Sequence, residues 1–284
     1  MASAKFLLPT ADTVFKRTFG NKAHKNVCID FLNNVLDRPE GRLIVDVEFL
    51  DTYNQPKYPD DRQSILDIRC TDQEKKTYII EVQVEAQKDF GMRSQYYVSR
   101  VLADQLSAGS KFSELTPVIL VGILDFTLFT RHNRCVTHHV LTDTVDSKQD
   151  LDLIEMHFIE LTKFKKNEDE LTSELDKWIF FLKDASRYLD LPQKIARGNK
   201  AIADAFEIVS RHNWTKLELE IYEKELDNLR CWQSAIDTGI EKGREEGLEI
   251  GIEKTARAML SKGFDLTVIA EITGLDVDQI KNLK

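Results

Sequence analysis

The run Val118-Ile119-Leu120-Val121-Gly122-Ile123-Leu124, entered through Pro117, contains no polar side chain. A short, continuous, β-branched apolar run is the pattern of a strand buried on both faces. Such a strand needs cover above and below its sheet. The chain therefore predicts an α/β fold: a mixed sheet flanked by helices, with an all-α C-terminal extension. The flanking sequence agrees. Residues 43–51 and 153–161 read as further strands. Residues 12–36 repeat apolar side chains at three- and four-residue steps. Gly20 divides that stretch into two helices, and Asp12 or Thr10 is placed to cap the first. A helix is predicted over residues 91–107, closed by Gly109. Beyond a charged joint at residues 165–170 only helices are expected, over 174–189, 200–212 and past Thr215. The predicted organisation is a core over residues 1–165, a helical extension over 166–235 and a glycine-stepped tail over 236–284.

Composition narrows the function classes. With 48 acidic and 39 basic residues the net charge is -9, which argues against nucleic-acid binding driven by global charge and leaves room for a local basic strip. Cys28, Cys70, Cys135 and Cys231 are scattered, with no paired spacing, so reduced thiols and a cytoplasmic location are expected. The start of the chain is too poor in apolar residues for a signal peptide. No apolar run approaches the ~18 residues of a membrane helix.

The chemistry-bearing feature is an acidic pair on two neighbouring strands. Asp67 lies in Ser64-Ile65-Leu66-Asp67-Ile68-Arg69-Cys70, and Glu81 and Gln83 lie in Thr77-Tyr78-Ile79-Ile80-Glu81-Val82-Gln83-Val84. A polar turn over residues 71–76 joins them. Strand neighbours are about 4.8 Å apart, close enough for two carboxylates to share one Mg²⁺. Glu81 and Gln83 point to one face of their strand. Carboxylates set among Ile79, Ile80 and Val82 are costly to bury unless paired or metal-bound. On spacing alone the pair fits equally well the wet face of a half-exposed hairpin.

Several segments together resemble the PD-(D/E)XK nuclease superfamily, and within it the Rpn-like recombination-promoting nucleases of bacteria. They are Thr10-Ala11-Asp12-Thr13-Val14-Phe15-Lys16-Arg17-Thr18-Phe19-Gly20, the hairpin pieces Leu66-Asp67-Ile68 and Ile80-Glu81-Val82-Gln83, the helix piece Arg93-Ser94-Gln95-Tyr96-Tyr97, and Gly239, Gly243, Gly247 and Gly251 among acidic and basic residues. The resemblance implies a restriction-endonuclease-like core and a DNA endonuclease that uses Mg²⁺ or another divalent cation such as Mn²⁺. Asp67 and Glu81 become the metal ligands and Asp12 an upstream acid. Gln83 takes the place of the superfamily's lysine. It cannot act as a base, but it can orient a water. Lys16 and Arg93 become candidate phosphate contacts. A role in recombination, mobile elements or defence is implied at the level of the family. The competing expectation is a catalytically silent DNA-binding or oligomerising protein on a nuclease scaffold.

Other features carry weaker expectations. His132, Cys135 and His138 are spaced by three but lack the ligand count of a zinc site. Asp60-Asp61 reads as a solvated turn. Asp12 fits a helix N-cap as well as a ligand, and Lys16 fits a solvated lysine. At least one of Tyr96 and Tyr97 is expected in the core. The four spaced glycines make a free-standing regular helix unattractive. They suggest self-association, a homodimer through the C-terminal helices, with a loosely ordered linker as the alternative. Residues 266–280 have a helix-turn-helix outline. The second helix is short and weakly basic, which favours a capping or dimerising hairpin.

Overall fold

The computed structural model of the chain describes residues 5–54 and 64–283. Most of the loop expected over residues 53–62, with Asp60-Asp61, lies outside the described residues. The order of elements is α1 (Asp12–Phe19), α2 (Lys25–Val35), β1 (Val47–Phe49), β2 (Tyr53–Asn54), β3 (Ser64–Ile65), β4 (Ile68–Asp72), β5 (Thr77–Gln83), α3 (Phe90–Ala103), β6 (Val118–Leu124), β7 (Val136–Leu141) and β8 (Leu151–Glu160). Helices α4 (Glu174–Asp184), α5 (Gln193–Ala196), α6 (Lys200–Ile208), α7 (Lys216–Ser261), α8 (Leu266–Thr273) and α9 (Val277–Lys281) complete it. Two compact units are present, residues 1–225 and residues 226–284.

The first unit is a six-stranded mixed sheet in the order β1-β4-β5-β6-β8-β7 with helices packed on it. Strand β6 sits between β5 and β8, parallel to both, and all seven of its residues are buried. That is the physical outcome its apolar run dictates. One face, carrying Ile79, Leu120 and Phe158, packs under α3 through Phe90, Val98 and Val101. Gly122 is required there: a Cβ would stand 3.0 Å from the Phe158 ring and 3.3 Å from Phe90. On the other face Ile68 reaches Gly20 at the end of α1.

The helices after residue 165 build a second aromatic core with α1 and α2. Trp178 lies 5.7 Å from both Phe19 and Phe31, and Phe181 lies 5.0 Å from Phe206. Asp30 on α2 accepts through Oδ2 from Trp178 Nε1 at 2.7 Å and from Asn199 Nδ2 at 3.0 Å, which ties α2 to the later helices.

Four sequence expectations are corrected. The strand expected over residues 43–51 shortens to β1, because both backbone groups of Ile44 are taken by the Asn33 side chain at 2.8 and 2.9 Å. Helix α3 ends at Ala103 rather than near residue 107. Just beyond it, Gln105 is drawn out of line by hydrogen bonds to the backbone of Thr116. Neither Asp12 nor Thr10 caps α1; the N-cap is Ala11, and the amides of Asp12 and Thr13 donate to the Glu225 carboxylate. The four spaced glycines do not break α7, and a Cβ at any of them would meet nothing within 4 Å. Propagating an existing helix costs little when the intervening residues are good helix formers, so glycine's ~1 kcal/mol penalty is tolerated.

In the second unit, Ala256 of α7 packs with Ile269 of α8 and Ile280 of α9 in a small core of its own. Gly274, in the left-handed region at φ +74°, turns the chain between α8 and α9, and Asp276 caps α9 with a reciprocal Gln279 contact.

Candidate active site

The hairpin of β4 and β5 aligns Ile68 with Ile80, which sets Asp67 beside Glu81. Asp67 precedes β4 and is locked by two reciprocal bonds. Its Oδ2 accepts from Val82 N at 2.8 Å, and its own N donates to Glu81 Oε1 at 3.1 Å. Each carboxylate thus spends one oxygen on the opposite strand's backbone, which fixes the pair without any ion. Glu81 is 5 % exposed and Asp67 half-buried.

Burial dominates their electrostatics. It pushes Asp67 up to about 6, against the opposing pull of the Val82 amide and the Lys16 ammonium. Glu81 is pushed up to about 8, by burial first and by the Asp67 charge second. Two interlocked acids that resist ionisation are a site where added positive charge is strongly favoured.

Two cations stand at the rim. Lys16, one turn after Asp12 on α1, bridges Asp12 Oδ1 at 2.6 Å and Asp67 Oδ1 at 3.6 Å. Burial works against its charge, yet the two acids hold its ammonium above the ordinary range. Arg93, in the first turns of α3, donates through Nη2 to Gln83 Oε1 at 2.9 Å and through Nη1 to Gln87. Its guanidinium lies 5.3 Å from the Phe90 ring and 5.7 Å from Tyr97. Tyr97 packs on the core as one of the two tyrosines was expected to, while Tyr96 is exposed.

The structure therefore brings Asp67, Glu81, Gln83, Lys16 and Arg93 together. Asp12 reaches the cluster through Lys16; it does not join Asp67 and Glu81 in a three-carboxylate set. Because arginine only donates, Gln83 must turn its carbonyl to Arg93 and present its NH₂ outward. Two participants were not visible in sequence. Gln87 holds Arg93 by a loop contact with no motif. Glu225 steadies α1 from 213 residues away.

A family model described as PD-(D/E)XK nuclease family transposase matches residues 9–239. The chain belongs to that family. A second model, described as the Rpn/YhgA-like nuclease family C-terminal HTH domain, matches residues 251–284. No curated protein and no solved structure matches the chain. Family membership carries a nuclease-type function, and nucleases of this family typically use divalent cations. The second match covers the stretch whose sequence has a helix-turn-helix outline. There the turn over residues 274–276 joins α8 to α9, and the two helices share a core with α7. Among the described residues no helix is long and apolar enough to cross a membrane.

The hairpin fits a hard dication. Its donors are carboxylate oxygens, two in number, as suits an ion that keeps several waters. Buried acids pushed up to about 6 and 8 gain most from such charge.

Proposed function

We propose that the protein is a divalent-metal-dependent DNA endonuclease of the cytoplasm, acting with Mg²⁺ or Mn²⁺ at Asp67 and Glu81. The observation that carries this reading is the interlocked Asp67–Glu81 pair, with Gln83, Arg93 and Lys16 at its rim. When bound, the ion neutralises phosphate charge and lowers the pKa of a coordinated water. The chain's own residues do the rest. Gln83 offers its NH₂ to a water lone pair or a phosphate oxygen, and Arg93 fixes that orientation. Arg93 also supplies the positive charge that Gln83 lacks, and its planar fork suits a phosphate. With a cation held by Asp67 and Glu81, Lys16 would no longer be needed as counter-charge to Asp67 and would be placed to contact the DNA backbone. Asp12 keeps Lys16 charged and close, an outer role in the metal shell rather than direct ligation.

The helix-turn-helix unit is read as a second DNA contact. Gly239, Gly243, Gly247 and Gly251 form an open stripe on α7 beside the exposed Ile240 and Leu248, which supports homodimerisation through the C-terminal helices. Sedimentation of wild type beside Gly243→Glu/Gly247→Glu tests it; unchanged mass for the variant discards that part.

The test of the main reading is plasmid nicking with purified protein. Wild type nicks with Mg²⁺ or Mn²⁺ and not with a chelator, and Asp67→Ala does not nick. Nicking by Asp67→Ala at the wild-type rate ends the proposal. DNA binding with no ion binding at the hairpin moves the protein to the silent, non-catalytic reading.

A further inference from the structure

The opposite face of the sheet holds a second cluster that the nuclease reading does not use. His138 on β7 and His157 on β8 are direct cross-strand partners, and Glu155 lies two residues before His157 on the same face. His138 Nε2 is 2.8 Å and His157 Nε2 2.7 Å from the same oxygen, Glu155 Oε1. The two imidazoles stack at 4.2 Å with 12° between their planes. All three ligand atoms lie within 4.8 Å of one another, the one such set among the described residues.

From this geometry we infer a zinc-type site at His138, Glu155 and His157. Two imidazole nitrogens and one carboxylate oxygen are a donor set for a borderline transition ion and not for Mg²⁺. Zinc bonds of about 2.0–2.2 Å arranged tetrahedrally separate ligand atoms by about 3.3 Å. The present separations of 2.7 and 2.8 Å therefore need only small side-chain rotations to open around an ion. The ligands come from paired strands, which fix their backbones. His157 is buried and rigid, while half-exposed His138 gives the ion a path from solvent. Three protein ligands leave a fourth position for water or a small ligand. It opens on a cleft of about 610 Å³, lined also by Asp37 and Arg134. The nearby His132 and Cys135, whose spacing imitates a ligand motif, are not in the set.

The test uses the full chain carrying Asp67→Asn and Glu81→Gln, so that the hairpin cannot hold a metal. Zn²⁺ is titrated against a chromophoric chelator, and Co²⁺ binding is followed by visible absorption. One equivalent should bind, with a Co²⁺ spectrum of low coordination, and excess Mg²⁺ should not displace it. His138→Ala removes a surface ligand without disturbing the core and should weaken Zn²⁺ at least about 100-fold. Glu155→Gln keeps the shape and should do the same. Absence of stoichiometric binding, or equal affinity in wild type and His138→Ala, overturns the site. Loss of binding on adding Asp67→Asn and Glu81→Gln would assign the ion to the hairpin instead, and also overturns it. The inference does not depend on nuclease activity.

Discussion

Glu81 and Glu160 are both buried, both on the α3 face of the sheet, and both within the last three residues of a strand parallel to β6. Their surroundings differ. Glu160 accepts from Leu128 N at 2.6 Å, Phe129 N at 3.0 Å and Lys163 Nζ at 2.6 Å. Lys163 also donates to Phe129 O, so that carboxylate ties the chain after β6 to the end of β8. Glu81 accepts from Asp67 N and has a second acid as its neighbour, and it is pushed up to about 8. A buried carboxylate surrounded by donors is structural. One packed against another acid resists ionisation and is favoured by added positive charge. Burial alone does not separate the two; the sign of the nearest charge does.

The comparison can be broken most directly at Glu81. Glu81→Gln should lower the nicking rate by ~10³-fold or more, since a ligand and its charge are removed together. The same substitution should stabilise the metal-free protein in alkali. Folded Glu81 keeps its proton to about 8, whereas the unfolded chain releases it near the ordinary 4.5. The folded state therefore binds more protons between those values. Its stability falls as pH rises through that window and is lowest above about 8. Denaturation at pH 9 should show the variant ahead by on the order of 5 kcal/mol, with the difference gone near pH 4. A constant difference across pH would break the contrast with Glu160.

Glu160→Ala should do the reverse. Leaving Lys163 buried without its partner costs about 3–5 kcal/mol in urea unfolding, while affinity for Mn²⁺ at the hairpin stays at the wild-type value. Arg93→Ala should reduce nicking by ~10²-fold and lower the salt dependence of DNA binding by about one phosphate contact, with unfolding little changed. Arg93→Lys should recover the salt slope but not the full rate, because lysine cannot hold the Gln83 carbonyl and a phosphate in one plane. The smallest effect is expected at Glu225. Glu225→Ala removes the cap of α1 and should cost about 1 kcal/mol, read as a shift of roughly 2–4 °C in melting temperature.

What was legible in the sequence follows the range of the forces involved. Strand β6 was readable because seven apolar side chains in a row have one low-energy fate. Asp67 and Glu81 were readable because a hairpin is local: a short polar turn and period-two alternation set their register. Gln83 looked like a deficiency in sequence. The compensating Arg93 was named only as a phosphate contact, since nothing in the spacing says that its side chain folds back onto β5. The shortened β1 depended on Asn33 competing for the backbone of Ile44, a contact between α2 and the segment after it. His138, Glu155 and His157 were invisible because their set is assembled by the pairing of β7 with β8. The local spacing around His138 pointed instead to His132 and Cys135.

The bond from Val82 N to Asp67 Oδ2 has a spectroscopic consequence. A backbone amide that would otherwise face a ladder carbonyl faces a side chain that answers to pH and to ions. The Val82 amide proton, with that of Asp67 opposite it, therefore serves as a built-in gauge of the centre. Its chemical shift and exchange rate should follow occupancy of the carboxylates, with no label, no substrate and no turnover required.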